Sequence, residues 1–92
     1  MRIIQSRSFA RKVKKFPKAE KLTLDVQIKL IIENPNIGIE KKGDLRGIFV
    51  HKFKIKTVLY LLGYRYMQET LELIMIGPHE NYYRARRRIT KL

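Results

Sequence analysis

The run Leu71-Glu72-Leu73-Ile74-Met75-Ile76 ends at Gly77-Pro78 and is followed at once by His79-Glu80-Asn81-Tyr82-Tyr83-Arg84-Ala85-Arg86-Arg87-Arg88. A strand that stops in a turn carrying a histidine, two tyrosines and four arginines presents groups suited to a polyanion. Histidine serves as acid or base near neutral pH. Tyrosine rings stack on unpaired bases at about 1–3 kcal/mol each, and arginines hold phosphates. A second basic set precedes this one in Val50-His51-Lys52-Phe53-Lys54-Ile55-Lys56. The two-residue period of a strand puts Lys52, Lys54 and Lys56 on one face, ~7 Å apart, and His51, Phe53 and Ile55 on the other.

Together these groups suit cleavage of RNA. Attack by a 2′-hydroxyl needs a base, an acid for the leaving 5′-oxygen and cations for the charge that builds on phosphorus, and it calls for no metal or other cofactor. His79 is the candidate acid or base, and Lys52 and Lys54 are the candidate stabilisers of the phosphorane. Tyr82 and Tyr83 are candidates for stacking, and Arg84, Arg86, Arg87 and Arg88 for holding flanking phosphate. Taken singly, each has a plainer reading: a lysine-rich strand face serves solubility, a histidine after a turn is a surface residue, and one of two adjacent tyrosines belongs to the core. The coincidence of the histidine, the tyrosines and the arginines in one strand-to-helix connection favours the catalytic reading. By parity His51 belongs with Phe53 and Ile55, as a core-boundary histidine.

The bulk properties agree. The chain has 92 residues, a formal net charge of +13, a pI near 10.4 and 45% hydrophobic residues, which describes one folded basic domain, 1–92, with acidic partners. Residues 1–18 hold seven Lys/Arg and no acid, 41–67 sum to +6 and 79–92 to +4, with two segments of −2 between them. A fold that joins the three basic segments makes one strongly positive face. There is no cysteine, hence no disulfide framework or thiolate chemistry. The N-terminus is too short in apolar length for a signal peptide, and no segment reaches the ~20 apolar residues of a membrane span, so a soluble cytoplasmic protein is expected.

The elements that must position these groups follow from periodicity. Arg2 to Gln5 reads as a strand, and Ser6 or Ser8 caps a helix whose Phe9, Val13 and Phe16 recur at helical spacing. Pro17 ends it or starts the next. From Lys18 to Glu33 one stripe holds Ala19, Leu22, Val26 and Leu30, and a second holds Leu24, Ile28 and Ile31, until Asn34-Pro35 stops the helix. Two stripes suit a helix covered by the sheet on one side and by a partner or more of the protein on the other. Asn36 to Gly47 reads as an irregular loop, followed by strands Ile48–Lys56 and Thr57–Tyr66, a turn at Met67-Gln68-Glu69, the strand Thr70–Ile76 and a short helix over 84–89. The order β-α-α-β-β-β with a short C-terminal helix makes an α+β domain, a small mostly antiparallel sheet packed on an N-terminal helical hairpin.

The Leu45-Arg46-Gly47 step into a lysine-bearing strand, the apolar hairpin Val58 to Ile76 and the ending Ile76-Gly77-Pro78-His79-Glu80-Asn81-Tyr82-Tyr83-Arg84 resemble the RelE/ParE superfamily of bacterial type II toxin-antitoxin toxins. The resemblance spans essentially the whole chain. It implies a RelE-like fold and two possible activities. RelE-like members are ribonucleases that enter the ribosomal A site and cut messenger RNA, whereas ParE-like members poison DNA gyrase without nuclease chemistry. Both are neutralised by a cognate antitoxin protein that wraps the toxin. In the nuclease branch, lysines on the strand after the Leu-Arg-Gly step contact the scissile phosphate, which carries onto Lys52 and Lys54 and makes Arg46 and Lys56 RNA-binding candidates. A histidine or arginine follows the last strand, and His79 holds that place; a tyrosine or phenylalanine comes next, matched best by Tyr83. One departure stands out. RelE-like sequences often carry an arginine at the start of the next strand, where this chain has Thr57, so Lys56 or Arg84 must supply that charge. A plain basic RNA-binding module is the remaining reading. Other enzyme classes find no support, since there is no glycine-rich phosphate loop, metal-ligand spacing or nucleophile elbow.

Overall fold

The computed structural model describes residues 1–79. The expected helix over 84–89 and the candidates Tyr82, Tyr83, Arg84, Arg86, Arg87 and Arg88 lie outside the described residues. The elements are β1 (Arg2–Gln5), α1 (Arg7–Lys14), α2 (Lys18–Glu33), β2 (Ile39–Glu40), a 3-10 turn (Gly43–Leu45), β3 (Phe49–Ile55), β4 (Val58–Met67) and β5 (Thr70–Pro78). The sheet order is β1-β5-β4-β3-β2, antiparallel throughout except for the parallel pair β1–β5. This is the expected α+β architecture, with one strand more than the sequence showed. The addition is the two-residue β2, which pairs Ile39 with Val50 and Glu40 with Phe49 inside the segment read as irregular. Both of its residues are exposed, so no burial period marks it.

Ser6 fixes the first helix to the sheet. Its hydroxyl accepts from the amide of Phe9 and donates to the carbonyl of Ile74, and its own amide donates to Leu73 at 2.9 Å. It therefore caps α1 and ties that cap to β5 at one point. Phe9 is buried, and Val13 and Phe16 pack around it at helical spacing. In α2 the stripe of Leu24 and Ile31 faces the sheet and is fully buried, with Ile28 and Ile32 beside it. The other stripe faces away: Leu22 is 59% exposed, Val26 54% and Leu30 38%. Asn34 ends the helix in an extended conformation, as the residue before Pro35 must.

The core lies between this hairpin and one face of the sheet. Phe53, Ile55, Leu62, Tyr64, Leu71, Leu73 and Ile76 form it with the helical residues. β5 reaches this face with a change of parity. Gly63 pairs with Met75 and Tyr64 with Leu73, so Ile74 is an extra residue, a β-bulge. The bulge carbonyl is the one that Ser6 caps.

Tyr64, fully buried at the centre of β4, also anchors the connection after α2. Its hydroxyl donates to Pro35 at 2.6 Å and accepts from the amide of Gly38 at 3.0 Å, and burial raises its pKa above the ordinary value. A side chain on Gly38 would meet that hydroxyl and the carbonyl of Val50, each at 2.9 Å. Tyr64→Phe leaves two backbone groups without this partner and is expected to cost about 1–2 kcal/mol. Urea denaturation of the two proteins measures it; an unchanged midpoint would mean that the latch carries no stability.

Candidate functional site

From Lys52 to Ile55, burial separates the two faces of β3. Lys52 and Lys54 are exposed on the side away from the helices, while Phe53 and Ile55 are buried beneath them. The expected ladder of three lysines has two rungs. β3 ends at Ile55, and Lys56 occupies the two-residue turn between the paired Ile55 and Val58 with φ +57°. The chain reverses there, so Lys56 leaves the alternation that sets Lys52 and Lys54 on one face. Thr57 shares that turn, so the position where an arginine was sought opens the hairpin.

The registers carry this face across the sheet. Lys52 pairs with Leu61 and Lys54 with Leu59 on β4, and Leu61 pairs with Gly77 on β5. Leu61 and Val50, on the same face as the lysines, are both buried at 4% exposure, so the exposed lysines border apolar residues that are covered. β5 ends at Pro78, opposite Tyr60. His79 therefore emerges level with the row of Leu59 and Lys54, two strand spacings or ~10 Å from β3 along the hydrogen-bonding direction. Lys52, Lys54 and His79 thus come to the same end of three neighbouring strands. The only acid in β3, β4 and β5 is Glu72. It sits near the other end, 3.5 Å from Arg65, and an exposed pair of that kind neutralises charge more than it stabilises. Arg46 is exposed just beyond the 3-10 turn, at the end of β3 away from Lys54, so the fold does not bring it to the two lysines.

Sequence reading gave no role to Lys12. Its ammonium nitrogen lies 3.9 Å from where a Gly77 side chain would begin. Helical spacing from Phe9 was the signal available, because it separates Lys12 from the lysine and arginine neighbours that point elsewhere. Among the described residues, no group of three or more His, Cys, Asp and Glu is placed to hold a metal ion. No helix there is long and apolar enough to cross a membrane.

A family model described as the ParE-like toxin of type II bacterial toxin-antitoxin systems matches residues 3–87. The chain belongs to this family. It is accordingly a toxin of the RelE/ParE superfamily, as its residues suggested. Among solved structures, the toxin resembles the isolated E. coli RelE toxin, at 19% identity over 96% of this chain and 97% of that one, with a TM-score of 0.66. It also resembles the intact E. coli RelBE toxin-antitoxin complex, at 18% identity over 83% of this chain and 93% of that one, again with a TM-score of 0.66. At such identity the likeness establishes the fold. No curated protein sequence matches the toxin.

The toxin's other histidine has a structural place. His51 pairs through Nε2 with Oε1 of Gln27 on α2 at 2.8 Å and stacks on Phe53 at 5.8 Å between ring centroids. It is the core-boundary residue that parity indicated, a polar tie between β3 and α2. Burial lowers its pKa from 6.5. The folded state thus prefers the neutral ring, and the stability this contributes is full above the unfolded pKa of about 6.5 and is lost as pH falls through the lowered folded value. The urea midpoint is expected to fall on acidification from pH 7 toward 5, and His51→Gln to flatten that part of the curve. Superimposable pH profiles for the two proteins would remove His51 from the balance.

Proposed function

We propose that this toxin is a ribosome-dependent endoribonuclease that cleaves messenger RNA by 2′-hydroxyl attack. The observation that supports it is the gathering of Lys52, Lys54 and His79 at one end of a face where the described strands β3, β4 and β5 carry no acid nearby. Substrate phosphate lies over the two lysines, whose ammonium groups meet the charge that builds on phosphorus. His79 exchanges a proton with the attacking or leaving oxygen, a role worth about 10²–10⁴-fold in rate. Tyr83 supports the reacting group or stacks on a base, with Tyr82 beside it, and Arg84, Arg86, Arg87 and Arg88 hold flanking messenger or ribosomal RNA. Lys56, at the hairpin tip, adds charge at the rim.

A cognate antitoxin restrains this activity in the cytoplasm. The assembly of the fold-matched E. coli RelE with its antitoxin in RelBE supports that partner. So does the stripe of Leu22, Val26 and Leu30, which offers an amphipathic segment apolar area worth about 25 cal/mol per Å² buried. The ParE-like description of the matching family keeps a second reading open, a gyrase inhibitor that needs neither His79 nor the lysine pair.

Brief induction of the wild type and of Lys52→Ala/His79→Ala, with the 5′ ends of messenger RNA mapped, separates the two. New ends within translated codons are expected for the wild type alone. Growth arrest by both proteins with intact messages would replace the nuclease reading with the gyrase one.

A further inference from the structure

The position of Lys12 follows from the way α1 is fastened. Ser6 ties the start of the helix to Leu73 and Ile74 of β5. Six residues of helix advance ~9 Å, and three residues of strand advance ~10 Å. Lys12 thus comes level with Gly77 while α1 runs beside the end of β5. β1 pairs only with Thr70 to Leu73, so among the described residues no strand lies beside β5 beyond Leu73 on that side, which leaves a long side chain room to reach past the edge toward the other face.

Gly77 shares that face with Leu61 and, through Leu61, with Lys52, because directly paired residues point the same way. The Lys12 ammonium, 3.9 Å from the Gly77 side-chain position, is in ordinary contact distance of what any larger residue would place there. Lys52 and the Lys12 ammonium therefore flank the buried Leu61 from opposite sides, their backbone rows ~10 Å apart. Two cations thus stand on the same face, one to either side of a buried leucine. On the helix, Lys12 lies about 60° from Phe9, whereas Lys14 lies about 140° away and faces from the sheet.

We propose that Lys12 is a third phosphate ligand of the site, holding the backbone of a single-stranded RNA that crosses β4 and β5 from the Lys52 side. The proposal rests on the nuclease reading and extends it from one phosphate to the path of the strand. Lys12 acts on substrate binding, with Lys52 and Lys54 at the reacting phosphate. The binding path then runs from β3 toward α1, which brings the basic N-terminal segment and the basic strand β3 onto one surface.

The experiment compares wild type, Lys12→Ala, Lys12→Arg, Lys14→Ala and Lys52→Ala. The probe is a short single-stranded RNA with 2′-O-methyl riboses, which binds without being cut, and affinity is measured across a salt series. Lys12→Ala is expected to weaken binding roughly tenfold, the scale of one charge-assisted hydrogen bond, and to reduce the slope of log K against log salt by about 0.7. Lys12→Arg should restore both, and Lys14→Ala, which removes the same charge from the far side of the helix, should change little. Equal effects from Lys12→Ala and Lys14→Ala, with a clear loss in Lys52→Ala, would overturn the role of Lys12 and leave the nuclease reading standing. No RNA binding by the wild type would overturn the role of Lys12, while the nuclease reading stands or falls on the mapped message ends. Thermal melts of the variants check that α1 remains docked.

Discussion

Among the described residues, the helical hairpin packs on one face of the five-stranded sheet, and the placing of the charges follows from that choice. The covered face takes Leu62, Tyr64, Leu71, Leu73 and Ile76 against Phe9, Leu24 and Ile31, each contributing about 1.5–3 kcal/mol when fully buried. Since alternate residues of a strand point oppositely, the same commitment turns Lys52 and Lys54 outward. Mutual repulsion of like charges on one face is then tolerated by a core that does not involve them. A toxin of charge +13 folds by keeping its cations off the face that packs.

The two sides communicate through few polar ties, and each has a clear mechanical role. Ser6 joins α1 to β5, Tyr64 holds the connection after α2 and His51 joins β3 to Gln27. Phe16, between α1 and α2, joins Tyr60 and Phe53 in an aromatic path to β3, with ring centroids 5.7 Å and 6.1 Å apart along it. Basic segments distant in sequence are thereby held in one frame. The ties are buried or half-buried, so salt that screens RNA binding leaves them largely intact.

Much of this was legible in the sequence. The limits of β1 and α2, a cap at Ser6 or Ser8, the outward Lys52 and Lys54 and the inward His51 all follow from cap chemistry and periodicity. The two stripes of α2 were also readable, although which of them meets the sheet was not, because both are apolar. β2 escaped notice because two exposed residues have no period. Lys56 was assigned to the ladder because alternation continues on paper past the point where a positive φ ends it. Lys12 was hidden for another reason: its neighbourhood depends on a parallel contact between β1 and β5, a pairing across nearly the whole chain that no local pattern encodes. The tyrosines and arginines after His79 remain a sequence argument.

The extra residue at Ile74 gives β5 two phases. Before it, odd-numbered positions meet the helices, as Leu71 and Leu73 do; after it, even-numbered ones do, as Ile76 does. With β1 and Ser6 holding the first half in place, the bulge itself keeps the second half in phase: a straight strand of the same length would turn Met75 and Gly77 into the helical layer and put Ile76 on the opposite face. Loss of Ile74 alone would instead leave Met75, Ile76 and Gly77 on their present faces, because the pairing would then run on without a bulge. What such a deletion removes is the carbonyl that receives the Ser6 hydroxyl, and with it the tie between the helix cap and the strand.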